Sequence, residues 1–78
     1  MTYKLIVPIE TGTNTIDTLI FHKPTLGELT KVKGEGFEQA LDMLACCTNQ
    51  SKVILKLISY EDSVELMENI LPNFLGLG

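Results

Sequence analysis

Acidic side chains recur at helical spacing in two places: Glu35, Glu38 and Asp42, then Glu61, Glu65 and Glu68. Carboxylates three or four positions apart share a helix flank. Either set could offer an acid/base pair or oxygen ligands for a hard cation. No second ligand type and no apolar pocket converges on them, so a solvated helix face accounts for both. Ser51, Ser59 and Ser63 have no nearby His or Lys of triad type, and Gly34-x-Gly36 lacks the rest of a phosphate loop. His22, the single histidine, reads as a surface strand residue. Cys46 and Cys47 are adjacent, and neighbouring side chains on a helix diverge by about 100°, too far to close a relaxed disulfide. They read as reduced thiols in or beside a core, without the further ligands a metal needs. Asn49-Gln50-Ser51 matches a glycosylation sequon, which has no meaning without a secretory signal. By elimination the chain is a binding or scaffolding module, not an enzyme, with no cofactor and no metal.

The elements that must position these residues follow from periodicity. Tyr3, Leu5, Val7 and Ile9 alternate with Lys4, Ile6 and Pro8, which predicts a strand to about Ile9 with Pro8 fit for an edge. Gly12 and Asn14 supply a turn. Ile16, Thr18 and Ile20 then alternate with Asp17, Leu19 and Phe21, completing a β-hairpin over residues 1–23 that needs cover. Pro24 ends the second strand, and Thr25-x-x-Glu28 is a capping box that starts a short helix, anchored on the hairpin by Phe21, Leu26 and Leu29 and ended by Gly34-Glu35-Gly36. Phe37, Ala40, Leu41, Leu44, Ala45 and Thr48 form the apolar stripe of a central helix. Ser51 caps a short apolar segment, Lys52–Ile58, for which helix and strand both fit. Ser59 and Asp62 start a last helix, with Val64, Met67, Ile70 or Leu71, and Phe74 at helical intervals, which Pro72 kinks or ends. The expectation is one α+β domain over 1–78: an N-terminal antiparallel hairpin packed on about three helices of residues 24–78.

Charge and length narrow the partners. The 78 residues carry a net charge of −4, and the six basic residues, all lysines, are dispersed at 4, 23, 31, 33, 52 and 56. Without a basic stripe, nucleic acid is not a partner. No stretch approaches the roughly 20 apolar residues that span a bilayer, and the first residues are too short a run for a signal sequence, which predicts a cytoplasmic protein with no membrane role.

The order of the pieces resembles the phage tail assembly chaperone family of Mu-like contractile-tailed phages and prophages. Carrying the resemblance are Pro8-Ile9 before a turn, the strand positions Ile16, Leu19 and Phe21, the corner Lys23-Pro24-Thr25 with Leu26 and Leu29, the helix end Thr48-Asn49, the aspartate Asp62 leading the last helix, and Phe74-Leu75. The match covers nearly the whole chain. It departs at Lys23, often Arg in that family, and at Pro72, which interrupts the final helix. The resemblance implies a non-enzymatic role in the host bacterial cytoplasm: binding the tape measure protein, a long helical protein, and keeping it soluble while tail tube proteins assemble. It also implies a longer companion product made by ribosomal frameshifting near the end of the reading frame. Competing readings are a structural tail component and a small adaptor or regulatory protein of a mobile element.

Two regions are candidate sites. The corner Lys23, Pro24, Thr25, Glu28 and Leu29 is expected to be mainly structural. Ile70, Leu71, Phe74, Leu75 and Leu77 crowd more large apolar side chains into the C-terminal segment than one buried face can use. Beside the acidic flank of Glu61, Glu65 and Glu68 they are the expected partner-binding residues, the alternative being that Phe74 and Leu75 fold back to seal the core. The small core also leaves room for a homodimer through the hairpin edge or an apolar helix face.

Overall fold

A computed structural model describes residues 1–76. Strand β1 (Thr2–Glu10) and strand β2 (Thr15–Ile20) form an antiparallel hairpin, turned through Gly12 at φ 79°. The helical part follows: α1 (Leu26–Leu29), α2 (Phe37–Thr48), α3 (Lys52–Leu55) and α4 (Tyr60–Glu65), which runs through a π turn (Leu66–Ile70) into α5 (Leu71–Phe74). The class is α+β, an N-terminal two-stranded hairpin with helices after it. The segment that fitted helix or strand is a single helical turn, α3, capped by Ser51 accepting from the Ile54 amide at 3.3 Å. Asn49, in the left-handed conformation at φ 56°, ends α2.

The hairpin departs from simple alternation. Lys4 pairs with Thr18 and Ile9 with Ile16, so Leu5 through Pro8 face Asp17 alone. This bulge interrupts the alternation of β1 at one position: Leu5 and Ile9 are buried on the same phase while Val7, expected on their face, is 47% exposed. Pro8, with no N–H to give a ladder, lies inside the bulge. On β2 Leu19 is buried, as is Phe21 just beyond the strand, while Ile20 is 68% exposed. Leu5, Ile9, Leu19 and Phe21 meet Leu44 and Cys47 of α2, Leu55 of α3, and Leu66 and Leu71 from the last helix, which together make the core.

Three helix expectations are corrected. First, α1 stops at Leu29 and does not continue to Gly34; the chain turns tightly as the Thr30 hydroxyl bonds the Gly27 carbonyl at 2.6 Å. Second, Leu26 and Leu29 do not anchor α1 on the hairpin: no residue of α1 is buried, Leu26 is 79% exposed, and α1 packs on α2. Third, Phe37, placed on the core stripe of α2, is 77% exposed, because only the C-terminal half of that helix lies over the hairpin. Pro72 does not end the last helix either. Its ring would crowd the Glu68 carbonyl in a regular α-helix, and the turn immediately before it is widened, with the Leu71 amide donating to Leu66, five residues back.

Candidate functional site

The corner holds the two ends of the fold together. Thr25 Oγ1 accepts from the Glu28 amide at 3.2 Å and Glu28 Oε1 accepts from the Thr25 amide at 2.9 Å, so both halves of the capping box form. The Thr25 amide holds the Glu28 carboxyl below the usual glutamate range. Lys23 explains why the corner is basic: its Nζ donates to the Phe74 carbonyl and lies 4.7 Å from the centre of the Phe74 ring. That ring meets Phe21 edge-on, with centroids 5.3 Å apart and planes at 61°. The corner thus grips the C-terminal helix. Leu29, the remaining corner residue, is 38% exposed.

A second junction centres on Asp62. Sequence reasoning reads Asp62 only as the helix-starting partner of Ser59, and Ser59 Oγ does accept from its amide at 3.2 Å. The carboxylate itself reaches β1. Its Oδ1 accepts from Tyr3 Oη at 2.8 Å and the Ile6 amide at 2.9 Å, and its Oδ2 from the Val7 amide and from Ser59 Oγ, both at 3.0 Å. Those amides belong to the bulge and have no partner on β2. Burial alone would push this carboxyl up, but the Ile6 and Val7 amides, with the Tyr3 and Ser59 hydroxyls, more than offset that, and it titrates below the ordinary aspartate value. Burial, then the facing carboxylate, push the Tyr3 phenol up to about 12. With every lone pair occupied and no exposed surface, Asp62 is a structural clasp and not an acid or base for a substrate.

Asp42 and Cys46 are similarly engaged, whereas His22, expected on the second strand, lies beyond its end with Nε2 buried, 4.0 Å from Glu28 Oε2 and without a hydrogen-bond partner among the described residues. Asp42 accepts from Lys52 Nζ at 2.8 Å and the Lys33 amide at 3.0 Å, which hold it below the usual range. It borders a polar hollow of about 430 Å3 shared with Glu28, Lys31 and Cys46. The Cys46 thiol donates to the Glu28 carbonyl at 3.4 Å. Burial pushes both thiols up, away from the thiolate form. Among the described residues no group of three His, Cys, Asp or Glu side chains is placed to hold a metal ion.

A separate open surface is apolar. Between the N-terminal half of α2 and the stretch from the π turn to α5 run two adjoining hollows of about 220 and 260 Å3, sharing Gly36, Ala40 and Met67. Met43, Leu71 and Leu75 line one end, Phe37 and Glu68 the other. Of the C-terminal residues expected to bind a partner, Leu71 and Leu75 line this groove. Ile70 and Phe74 are partly buried against the core, and Leu77 lies outside the described residues. As far as Leu75 the crowding is resolved by division: the extra residue in the π turn rotates the following face by about 100°, and the apolar side chains after it divide between core and groove. Of the acidic flank, Glu68 lines the groove, Glu65 accepts from Asn69 at 3.3 Å, and Glu61 is exposed. Phe37, Ala40 and Met67 were missed because helical spacing alone assigns them to a core stripe, and Met43 lies off that stripe.

A scan against protein-family models, a search of curated proteins and a search of solved structures found no match to this chain. Among the described residues no helix is long and apolar enough to cross a membrane.

Proposed function

We propose that this chain is a non-enzymatic, cytoplasmic tail assembly chaperone of the contractile-tailed phage type, which binds the tape measure protein, keeps it soluble and helps recruit tail tube proteins. The observation that carries the reading is the open apolar groove between α2 and the last helix, with Phe37 exposed at its end. A soluble domain this small leaves such a surface uncovered where a partner is received. The identity of that partner is what the family resemblance implies, carried by the ordered motifs from Pro8-Ile9 through Lys23-Pro24-Thr25 to Phe74-Leu75. A non-enzymatic role is supported by the engagement of Asp62, Asp42 and the two thiols in structure. The frameshifted companion product belongs to the same proposal and is tested by reading the codons for Asn73 to Leu75.

The test is co-expression with the tape measure protein of the same element. The tape measure protein should be soluble and co-purify with this chain, and should aggregate when expressed alone. The chain should be absent from purified virions by mass spectrometry. Its presence there would make it a structural tail component, and failure to retain the tape measure protein would leave an adaptor role in its place.

A further inference from the structure

We infer that the groove between α2 and the π turn takes one basic-flanked amphipathic helix of a different protein, whose apolar stripe seats between Phe37 and Leu75 and whose lysines or arginines face Glu68. The inference rests on the reading of the chain as a protein-binding chaperone and specifies the chemistry of the segment bound.

The shape selects a helix. Two helical walls flank the groove, and the small residues Gly36 and Ala40 on the α2 side let a third backbone come close. From Gly36 to Met43 the wall is about 10 Å long, room for apolar anchors at i, i+4 and i+7. Met43 and Met67 line it with flexible, polarisable side chains that adapt to varied apolar anchors. Such a lining suits a long client with many similar, non-identical turns.

Charge selects the flank. Glu68 is the one charged residue among those lining the groove. None of the lysines lines it. The same reasoning disfavours a second copy as occupant. α2 and residues 60–74, the two walls of the groove, contain no basic residue, so the same face of a second copy would bring no cation to Glu68.

The probe is a short synthetic helical peptide with leucines at i, i+3, i+4 and i+7 and lysine flanks, fluorescein-labelled and titrated with the full chain. A counterpart with glutamate flanks serves as comparison. The lysine peptide should bind about tenfold or more tightly than the glutamate peptide, with the gap narrowing in high salt. Phe37→Ala, at an exposed position, should weaken the lysine peptide about tenfold without moving the melting temperature, and Glu68→Lys should reverse the ranking. Equal binding of the two peptides, or unchanged affinity in both variants, overturns the inference. So does a parent chain that is dimeric by light scattering and becomes monomeric with Phe37→Ala, since the occupant is then a second copy. Co-purification with the tape measure protein, run on the same variants, separates this inference from the reading beneath it. Retention unaffected by either variant sinks the groove and leaves the chaperone. A preserved peptide ranking with no retention keeps the groove and sinks the client.

Discussion

Replacing Asp62 with asparagine changes few atoms and tests the junction that joins the last helix to β1. The carboxylate accepts four hydrogen bonds from other residues' donors, two of them backbone amides without a strand partner. An amide side chain has one acceptor oxygen. Whichever way it is turned, its NH2 group points at the N–H of Ile6 or of Val7, leaving a buried donor unpaired at about 1–3 kcal/mol. The bonds kept also lose their charge assistance, while burying a neutral group removes part of the desolvation penalty of the carboxylate. The net expectation for Asp62→Asn is a loss of about 2–3 kcal/mol, and about 3–5 kcal/mol for Asp62→Ala, where both amides are orphaned. Against a total stability of roughly 4–12 kcal/mol for a domain of this length, either change is large. Urea unfolding followed by circular dichroism measures it: with a slope near 1 kcal/mol/M, the midpoint should fall by about 2 M or more at unchanged slope. Tyr3→Phe alone should cost about 1 kcal/mol and should couple to Asp62→Asn in a double-mutant cycle. An asparagine variant within about 0.5 kcal/mol of the parent would refute the argument, because the bulge amides would then be satisfied by something else.

The same carboxylate sets a pH dependence. Its folded value lies below the ordinary 3.8, so its contribution is present above that pH and is lost as pH falls below it; acid titration of the parent should show this loss, and Asp62→Asn should flatten it. Tyr3 acts at the other end: with its pKa raised from 10.0 to about 12, its contribution holds below pH 10 and fades as pH rises towards 12, a change absent in Tyr3→Phe. Thr25→Ala removes one half of the capping box and should cost about 1 kcal/mol by urea unfolding, with peptide and client binding intact; lost binding at unchanged stability would make the corner a recognition site. Leu29→Ala should cost less than about 1 kcal/mol because that side chain is 38% exposed, against about 2–5 kcal/mol for Leu44→Ala at 1% exposed. Lys23→Met should cost about 0.5–1 kcal/mol through loss of the cation over Phe74, and hydrogen exchange at the C-terminal helix should speed up with it.

What could be read from the sequence was what neighbours in the chain decide. The hairpin turn at Gly12, the Thr25–Glu28 box and the Ser51 and Ser59 caps each depend on residues within a few positions of one another, and all are present. The bulge was not legible, because Leu5, Val7 and Ile9 keep perfect alternation and the reason to break it stands at Asp62. The exposure of Phe37 and Leu26 escaped for a related reason: periodicity identifies an apolar face without saying whether anything covers it. Pro72 did announce an irregularity. Its form, a widened turn and not a stop, depended on Leu66 and Leu71 staying in the core on either side.

The clasps described above also fix an order of events. The Ile6 and Val7 amides are answered by a side chain 56 and 55 positions later, and Lys23 by a carbonyl 51 positions on. During synthesis the hairpin therefore emerges long before its bulge has a partner, and two strands without cover are marginal in water. Closing loops of that length is a slow way for so small a chain to fold. Until Asp62 arrives, β1 presents unpaired amides together with Ile6 and Val7, the kind of open strand that pairs with whatever strand is nearest. A nascent or truncated chain ending before Asp62 should be aggregation-prone, whereas the complete chain carries its own remedy.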